Sequence, residues 1–349
     1  MSPAPEAAPF DPAVHLCYEK PNNIITMKEL AIEGGISPIA LAGPFPLLTP
    51  AAVTEIRREI LSKEVLDRYA VSWKLAACQA REFPEAVAPF VHAVWNSPEV
   101  IAAVSEAAGV DLVPIMPLEK GHVNYQVGNG TLDDVRKASV ALEPQPSLYE
   151  GEELEKLKKT AAADGGEGST TVGFHRDAYP FVCVLMLSEC EHMLGGETAL
   201  KTGDGRVIKA RGPGAGSVVV MQGRHISHSA LKAYNVAERI TMVTSFRARD
   251  PMLDDGSILP TIRPSSKANR LNYQWSVYRL KLLSDRFALM AAGLEQKKAL
   301  LGPEDDADGL GGSEVVNVKE MSVWIDAQIG YLTTTKSEYM LHDAAFYNQ

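Results

Sequence analysis

The stretch Gly173-Phe174-His175-Arg176-Asp177 carries the clearest chemical pattern in this sequence. Alternate side chains of a β-strand point to the same face, so His175 and Asp177 would present an imidazole and a carboxylate together. By itself this triplet is a weak signal, because two polar residues at the end of a strand are common. Its meaning depends on the residues that follow in the chain.

Two further histidines and an arginine follow at informative distances. His225 and His228 lie in one short segment, and residue type alone does not separate them as the second imidazole. His228 lies 51 residues after Asp177, and Arg239 follows it by 11 residues at the start of another predicted strand. Two histidines and one carboxylate on one face of a barrel form a facial triad for non-haem Fe(II), which leaves three coordination positions open.

The open positions of such a triad suit a 2-oxo acid and O2. A 2-oxo acid can chelate iron through its carboxylate and keto oxygen, and O2 takes the remaining position. The far carboxylate of 2-oxoglutarate then requires a cation and a hydroxyl group at a fixed distance. Arg239 offers a planar pair of donors, and Thr241 shares its strand face.

Short β-type runs separated by glycine-rich turns surround these residues. The predicted strands cover 121–127, 172–187, 197–200, 206–210, 216–222 and 239–246. Many short strands with glycine turns are typical of a β-sandwich or a jelly roll. We therefore expect a mainly β core with flanking helices, of the α+β class.

Helices are predicted on both sides of the β core and in one insertion. Thr49-Pro50 and Ser97-Pro98 are typical helix starts, and Gly109 is a typical helix end. Residues 47–110 are therefore predicted to be mostly helical, after an N-terminal arm without clear periodicity. Further helices are predicted within the charged stretch 152–160, over 271–301 and over 313–332.

These patterns predict one catalytic unit that spans the whole chain, 1–349. Its parts are an N-terminal arm with helices at 1–110, a β core at 111–250 with a mobile insertion at 132–170, and C-terminal helices with a tail at 251–349.

The composition excludes several classes of protein. The chain has 349 residues, 46% of them hydrophobic, and a formal net charge of −10, which is typical of a globular protein. The acidic balance argues against broad nucleic-acid binding, because counterion release requires clustered Lys and Arg. No apolar run reaches the roughly 20 residues of a membrane span. The N-terminal residues also lack the basic and apolar regions of a signal peptide.

From these exclusions we expect a cytoplasmic protein that binds neither nucleic acid nor membrane. It would act on a small-molecule substrate as a monomer or a homodimer.

Taken together, the motifs resemble those of the Fe(II)/2-oxoglutarate-dependent oxygenases, a family of non-haem iron dioxygenases. The resemblance rests on the His-x-Asp motif, a distal histidine and Arg239-x-Thr241. Gly195-Gly196-Glu197-Thr198 resembles the family's turn between core strands, and the segment 238–247 resembles fungal members of specialised metabolism in particular. The matching residues cover about 121–250, and the family resemblance implies a double-stranded β-helix, the jelly-roll (cupin-like) barrel.

The resemblance also implies a metal triad. His175, Asp177 and His228 would hold Fe(II). His228 is preferred to His225 because the arginine of the family follows its histidine by about ten residues.

The co-substrate residues follow from the same resemblance. Arg239 and Thr241 would bind the far carboxylate of 2-oxoglutarate. Asn124 and Gln126 are further candidates, because the family often places a co-substrate or substrate contact on this strand. His122 shares their strand face.

The activity implied by the resemblance is that of an oxidoreductase on a small metabolite, such as an amino acid, a peptide or another specialised metabolite. As in the family, a ferryl-oxo species would attack an unactivated C–H bond, with release of succinate and CO2. The cofactors would be Fe(II), 2-oxoglutarate and O2, with ascorbate as the reductant in vitro. Hydroxylation is the default outcome. Oxidative cyclisation or C–N bond formation, for example aziridine formation on an amino acid, is the alternative.

Some relatives fold their C-terminal tail over the mouth of the active site. Phe346 is therefore a candidate substrate lid in this chain.

The residues alone leave two other classes of protein as alternatives. A cupin-like metal hydrolase or isomerase would use the triad without 2-oxoglutarate, and Arg239 with Thr241 argues against it. A non-catalytic barrel could act as a binding module, and the intact triad argues against that.

Overall fold

The computed structural model describes residues 9–73, 76–128, 130–163, 170–210, 214–300 and 315–339. These residues form large antiparallel sheets surrounded by helices. The helices are α1 (Pro12–His15), α2 (Pro50–Ile60), α3 (Lys63–Arg68), α4 (Pro89–Asn96), α5 (Pro98–Ala108), α6 (Leu132–Val135), α7 (Gly151–Ala163), α8 (Ala268–Leu300) and α9 (Val318–Ser337). Two short 3₁₀ helices cover Pro117–Glu119 and Arg263–Ser265.

Fifteen strands are found in the described part of the chain. They are β1 (Ile24–Thr26), β2 (Ile39–Pro46), β3 (Ala70–Trp73), β4 (Ala76–Ala80), β5 (Leu112–Pro114), β6 (His122–Val127), β7 (Thr170–His175), β8 (Phe181–Met186), β9 (Leu194–Gly195), β10 (Thr198–Lys201), β11 (Val207–Ala210), β12 (Ser217–Met221), β13 (His228–Leu231), β14 (Ala233–Tyr234) and β15 (Glu238–Ala248).

The strands are arranged in two main sheets. The larger sheet has the order β1-β2-β12-β8-β15-β6-β4-β3, with β5 paired to the end of β15, and the smaller sheet has the order β11-β10-β13-β7. From β6 onward the chain passes repeatedly between them: β6, β8, β12 and β15 lie in the larger sheet, and β7, β10, β11 and β13 lie in the smaller one. This alternation brings segments that are far apart in sequence into neighbouring positions.

The period-2 pattern of β15 separates a packed face from a cavity face. Ile240 and Met242 are buried in the main hydrophobic core with residues of the N-terminal helices, and the Trp95 indole N–H lies 3.3 Å from the sulfur of Met242. The intervening residues Arg239 and Thr241 line a cavity. The strand therefore offers its apolar side to the helices and its polar side to the space between the sheets.

The predicted helix ends are confirmed. The Thr49 side chain accepts a hydrogen bond from the Ala52 amide, and the Ser97 side chain accepts one from the Val100 amide, so both residues cap their helices. Gly109 ends α5 with φ 69°, a left-handed conformation that glycine adopts without a steric penalty.

The N-terminal region contains more strand than predicted. Strands β1 and β2 form within the arm that showed no periodicity, and β2 pairs with β12 of the larger sheet. The helical prediction for 47–110 fails over β3 and β4, and β4 pairs with β6. Prolines and a glycine in β2 hide its strand pattern, and tertiary pairing supplies the stabilisation that local propensity lacks.

The insertion at 132–170 contains the helix predicted from its charge spacing, since α7 covers Gly151–Ala163. Two hydrogen bonds connect the segment before α7 to β15. The Gln145 side-chain Nε2 donates to the Glu238 backbone carbonyl, and the Glu238 backbone amide donates to Gln145 Oε1. Mobility of the insertion stays a prediction. The candidate lid Phe346 lies outside the described residues.

The predicted C-terminal helices are found as α8 and α9. Trp275 and Tyr278 of α8 and Tyr331 of α9 are buried with Tyr179 and Leu259, so both helices pack close to the end of the β core. Among the described residues, no helix combines the length and the apolar character that a membrane crossing requires.

A buried arginine connects α2 to the start of β15. The Arg57 guanidinium donates to both carboxylate oxygens of Glu238 at 2.6 and 3.0 Å and to the Leu187 carbonyl at 2.7 Å. Further hydrogen bonds run to the carbonyls of Ser139 and Val140. This network fixes the residue that directly precedes Arg239.

Replacing Arg57 with methionine is expected to lower the free energy of unfolding by about 3 kcal/mol or more, because it leaves the Glu238 carboxylate without its buried partner. Urea unfolding measures the change. The control is Arg58→Met on the same helix, where the exposed pair with Glu55 contributes at most about 1 kcal/mol. Equal losses in the two variants would contradict the role given to Arg57.

Candidate active site

Strand pairing brings the two histidines of the predicted triad together. His228 at the start of β13 pairs directly with His175 at the end of β7, and their ring centroids are 4.5 Å apart. Asp177 follows β7, and its carboxylate oxygens lie 3.6 Å from His175 Nε2 and 3.5 Å from His228 Nε2. The ligand atoms of these three side chains all lie within 4.8 Å of one another.

Backbone carbonyls orient both imidazoles. His175 Nδ1 lies 2.8 Å from the Gly173 carbonyl oxygen, and His228 Nδ1 lies 3.0 Å from the Ile226 carbonyl oxygen. A carbonyl only accepts hydrogen bonds, so each Nδ1 carries the proton and donates. Each neutral ring then keeps a free electron pair on Nε2, which is how proteins commonly prepare histidine to bind a metal.

The electrostatics of the cluster reflect burial and mutual attraction. Burial lowers the pKa of His228 and favours its neutral form. Burial also opposes the charge on His175 and on Asp177. For His175 this effect is outweighed by the hydrogen bond to Asp177 and by its charge, and for Asp177 it is outweighed by His228 and His175. The pKa of His175 is therefore raised, and that of Asp177 is lowered below its ordinary value. The carboxylate is thus anionic at neutral pH.

The donor set fits a divalent transition metal. Oδ2 of Asp177 is buried and has no hydrogen-bond partner within the described part of the chain. A buried carboxylate oxygen without a partner is costly unless a cation satisfies it. Two imidazole nitrogens and one carboxylate on one side of a metal are the ligand set of non-haem Fe(II) centres.

The absence of a side chain at Gly223 allows the Asp177 carboxylate to lie directly against the backbone. The Asp177 amide donates to the Gly223 carbonyl at 2.9 Å. A Cβ atom at position 223 would lie 1.8 Å from Asp177 Oδ2 and 2.7 Å from Cγ. Only glycine therefore leaves room for the carboxylate in this position.

Replacing Gly223 with alanine is expected to displace the Asp177 carboxylate and to weaken metal binding about 10- to 100-fold, as for other changes around metal ligands. Metal titration by calorimetry measures this loss. Gly256→Ala is the matched control, since its Cβ would meet its nearest neighbour at 3.6 Å. Unchanged metal affinity in Gly223→Ala would contradict the proposed contact.

The triad opens into a cavity of about 310 Å³ between the two sheets. This volume is within the range of pockets that bind small molecules. The cavity is lined by all the residues predicted for the site, namely His175, Asp177, His228, Arg239, Thr241, Asn124 and Gln126. In the β6–β15 pair, Gln126 lies opposite Arg239 and Asn124 lies opposite Thr241. The Asn124 side chain also accepts a hydrogen bond of 2.7 Å from Gln79.

Arg239 presents a cation to the cavity. Burial lowers the pKa of its guanidinium, and its Nε atom is buried with no hydrogen-bond partner in the described ranges. Thr241, two residues along the strand, is also buried. An unpaired buried donor costs about 1–3 kcal/mol, so this end of the cavity favours an anionic ligand that would satisfy it.

His225 lies outside the cluster. Its backbone amide donates to the Gln222 carbonyl, and its charged neighbours are Arg224, Arg176 and Asp254. The group of converging metal-type ligands found among the described residues contains His228 and not His225.

Sequence reasoning missed several residues of the cavity. Gly223 gave no signal because its role depends on a carboxylate 46 positions earlier in the chain. Arg81, Glu119 and Tyr179 also line the cavity. Arg81 directly follows β4. The segments before and after β4 have helical patterns, so the sequence did not indicate a strand here.

The comparisons with known proteins give structural neighbours only. No family model matches the chain, and no curated protein matches it. An oxidoreductase of the 2OG-Fe(II) oxygenase family from Burkholderia pseudomallei is 14% identical, with a TM-score of 0.30, over 51% of this chain and 65% of its own. A Pseudomonas putida prolyl-4-hydroxylase is 16% identical, with a TM-score of 0.31, over 58% and 89%.

A third solved structure is the non-haem α-ketoglutarate-dependent epimerase SnoN from nogalamycin biosynthesis. It is 11% identical, with a TM-score of 0.34, over 57% of this chain and 73% of its own. These three solved structures carry the names of a 2OG-Fe(II) oxygenase, a prolyl-4-hydroxylase and an α-ketoglutarate-dependent epimerase.

Proposed function

We propose that this protein is an Fe(II)/2-oxoglutarate-dependent oxygenase that acts on an unactivated C–H bond of a small metabolite. The observation that carries this proposal is that one cavity holds both the His175–Asp177–His228 cluster and the cation Arg239. The substrate would be an amino acid, a peptide or another specialised metabolite. Hydroxylation is the default outcome, and oxidative cyclisation or C–N bond formation is the alternative.

The proposed architecture is a double-stranded β-helix within one catalytic unit. The alternation of β6, β7, β8, β10, β11, β12, β13 and β15 between two facing sheets supports it. Cytoplasmic location, a fungal type of specialised metabolism and a monomeric or homodimeric state stay predictions.

The three side chains would hold iron through His175 Nε2, His228 Nε2 and the Asp177 carboxylate. When bound, iron with 2-oxoglutarate and O2 supplies the oxidising power for C–H cleavage, and succinate and CO2 are released. The residues contribute position and charge: the carbonyls behind each Nδ1 prevent ring rotation, and Asp177 provides the one negative charge of the cluster.

The other polar residues would orient the co-substrate. Arg239 and Thr241 would bind its far carboxylate by charge-assisted hydrogen bonds, and Asn124 and Gln126 offer amide groups from the opposite strand. The cavity walls between these groups include Val182, Val184 and Val243. Apolar walls exclude water, and this strengthens the attraction between Arg239 and a carboxylate.

Two measurements test the proposed function. Fe(II) and 2-oxoglutarate, added together without O2, should produce a visible charge-transfer absorption band. With O2, ascorbate and a panel of small metabolites, the protein should form succinate. A metal-binding protein that gives neither result would fit a cupin-like hydrolase or isomerase, and a protein that binds no metal would fit a non-catalytic barrel. Either result would overturn the proposal.

A further inference from the structure

The cavity has a second charged end, formed by Arg81, Glu119 and His122. All three line the same cavity as the triad. His122 lies opposite Val243 on β15, four residues along the strand from Arg239, which corresponds to about 13 Å. The two charged ends of the cavity are therefore well separated.

Arg81 and Glu119 form a buried ion pair at this end. Both side chains are at most 3% exposed, and Arg81 Nη2 donates to Glu119 Oε1 at 2.8 Å. Arg81 Nη1 donates to the Ser265 hydroxyl at 2.5 Å. The Nε atom of Arg81 and the Nε2 atom of His122 are both buried and have no hydrogen-bond partner in the described part of the protein.

These two unpartnered atoms distinguish the pair from a purely structural ion pair. A buried ion pair is stabilising only when further hydrogen bonds satisfy its remaining polar atoms. Here the Nε–H of Arg81 has no acceptor at the wall of the cavity, and the Nε2 atom of His122 also lacks a hydrogen-bond partner. Burial and the Arg81 charge keep the pKa of His122 well below its ordinary value, so His122 is a neutral ring that can accept a hydrogen bond.

The charges at this end select the class of ligand. A simple anion would be repelled by Glu119, and a simple cation would be repelled by Arg81. A molecule with both charges side by side can pair with both residues without leaving a net charge in the cavity. The nearby lining residues Ile262 and Ala178 are apolar and would contact an apolar side chain.

We infer that Arg81, Glu119 and His122 form the substrate-recognition end of the cavity and bind the zwitterionic head group of an amino acid with an apolar side chain. Arg81 pairs with the carboxylate through its free Nε–H, Glu119 pairs with the ammonium group, and His122 accepts a second hydrogen bond from it. The inference rests on the proposed function, because it assigns the Arg239 end of the cavity to 2-oxoglutarate.

Calorimetry on the full chain with Mn(II) and 2-oxoglutarate tests the inference without turnover. The probes are alanine, valine, leucine, isoleucine and methionine, each with its amide, which lacks the carboxylate, and its N-acetyl derivative, which lacks the ammonium group. At least one amino acid should bind, and at least tenfold more tightly than both of its derivatives. The variant Arg81→Gln/Glu119→Gln removes both charges together, so it leaves no unpaired buried ion, and it should weaken that binding at least tenfold.

The control variant is Arg206→Gln, which removes an exposed arginine paired with Asp204. It should leave amino-acid binding unchanged, and 2-oxoglutarate binding should persist in both variants. The inference is overturned if no amino acid binds while 2-oxoglutarate does, if the derivatives bind equally well, or if the double variant keeps its affinity. Failure of the wild-type protein to bind 2-oxoglutarate would instead overturn the proposed function, and the inference with it.

Discussion

The Asp177→Ala variant is expected to lose bound iron and to form no succinate. Asp177 is the one carboxylate in the converging group found among the described residues, and its oxygens face both imidazole Nε2 atoms at 3.5 and 3.6 Å. Without it, two neutral rings remain and no negative charge offsets the metal. Metal content after dialysis and succinate formation from 2-oxoglutarate measure the effect.

A control separates this loss from general unfolding. Asp204→Ala removes an exposed aspartate that pairs with Arg206 on the surface, and it should keep its metal and its activity. Circular dichroism of Asp177→Ala without metal should show a folded protein, because the substitution changes a side chain at the cavity wall and leaves the main hydrophobic core intact. Wild-type turnover in Asp177→Ala would refute the assignment of the triad.

The Arg239→Ala variant is expected to bind 2-oxoglutarate about 100-fold more weakly while it retains iron. Truncating one partner of a buried charge pair typically costs about 2–5 kcal/mol, and about 2.7 kcal/mol corresponds to a factor of 100. The guanidinium lies on β15, whereas the triad lies on and next to β7 and β13, so metal binding should be affected little. Titration of the Fe(II)–2-oxoglutarate absorption band without O2 measures the affinity.

Arg239→Lys refines the same test. Lysine keeps the positive charge but loses the planar pair of donors, so its affinity for 2-oxoglutarate should fall between those of the wild type and Arg239→Ala. Thr241 is unchanged in both variants, so a difference between them comes from residue 239. Equal loss of iron and of 2-oxoglutarate in Arg239→Ala would argue that Arg239 supports the fold of the cavity instead of the co-substrate.

Several features of this protein were predictable because they depend on short-range patterns. The alternation along β15 placed Arg239 and Thr241 on one face, and the structure finds both in the cavity. The caps at Thr49 and Ser97 were predictable because a hydroxyl group before a proline is a local signal for a helix start. The His-x-Asp pattern indicated His175 and Asp177, and the spacing to Arg239 favoured His228 as the third residue.

Other features depend on contacts between distant segments. β2 pairs with β12 although its own sequence carries glycine and two prolines, and β4 pairs with β6 although helices surround it in the chain. The close approach of Gly223 to Asp177 exists only once the strands are assembled.

By itself, the sequence determined most strands from β6 onward, the strand faces that carry polar residues and the residue types of a candidate metal site, since periodicity and spacing encode these locally. Tertiary structure decided how the triad assembles: the register of β13 against β7 places His228, which the spacing to Arg239 had favoured over His225, opposite His175. It also decided that Arg81 and Glu119, 38 positions apart, form a buried pair in the same cavity. Such a pairing depends on how strands and a 3₁₀ helix pack together, and no local pattern of residues records it.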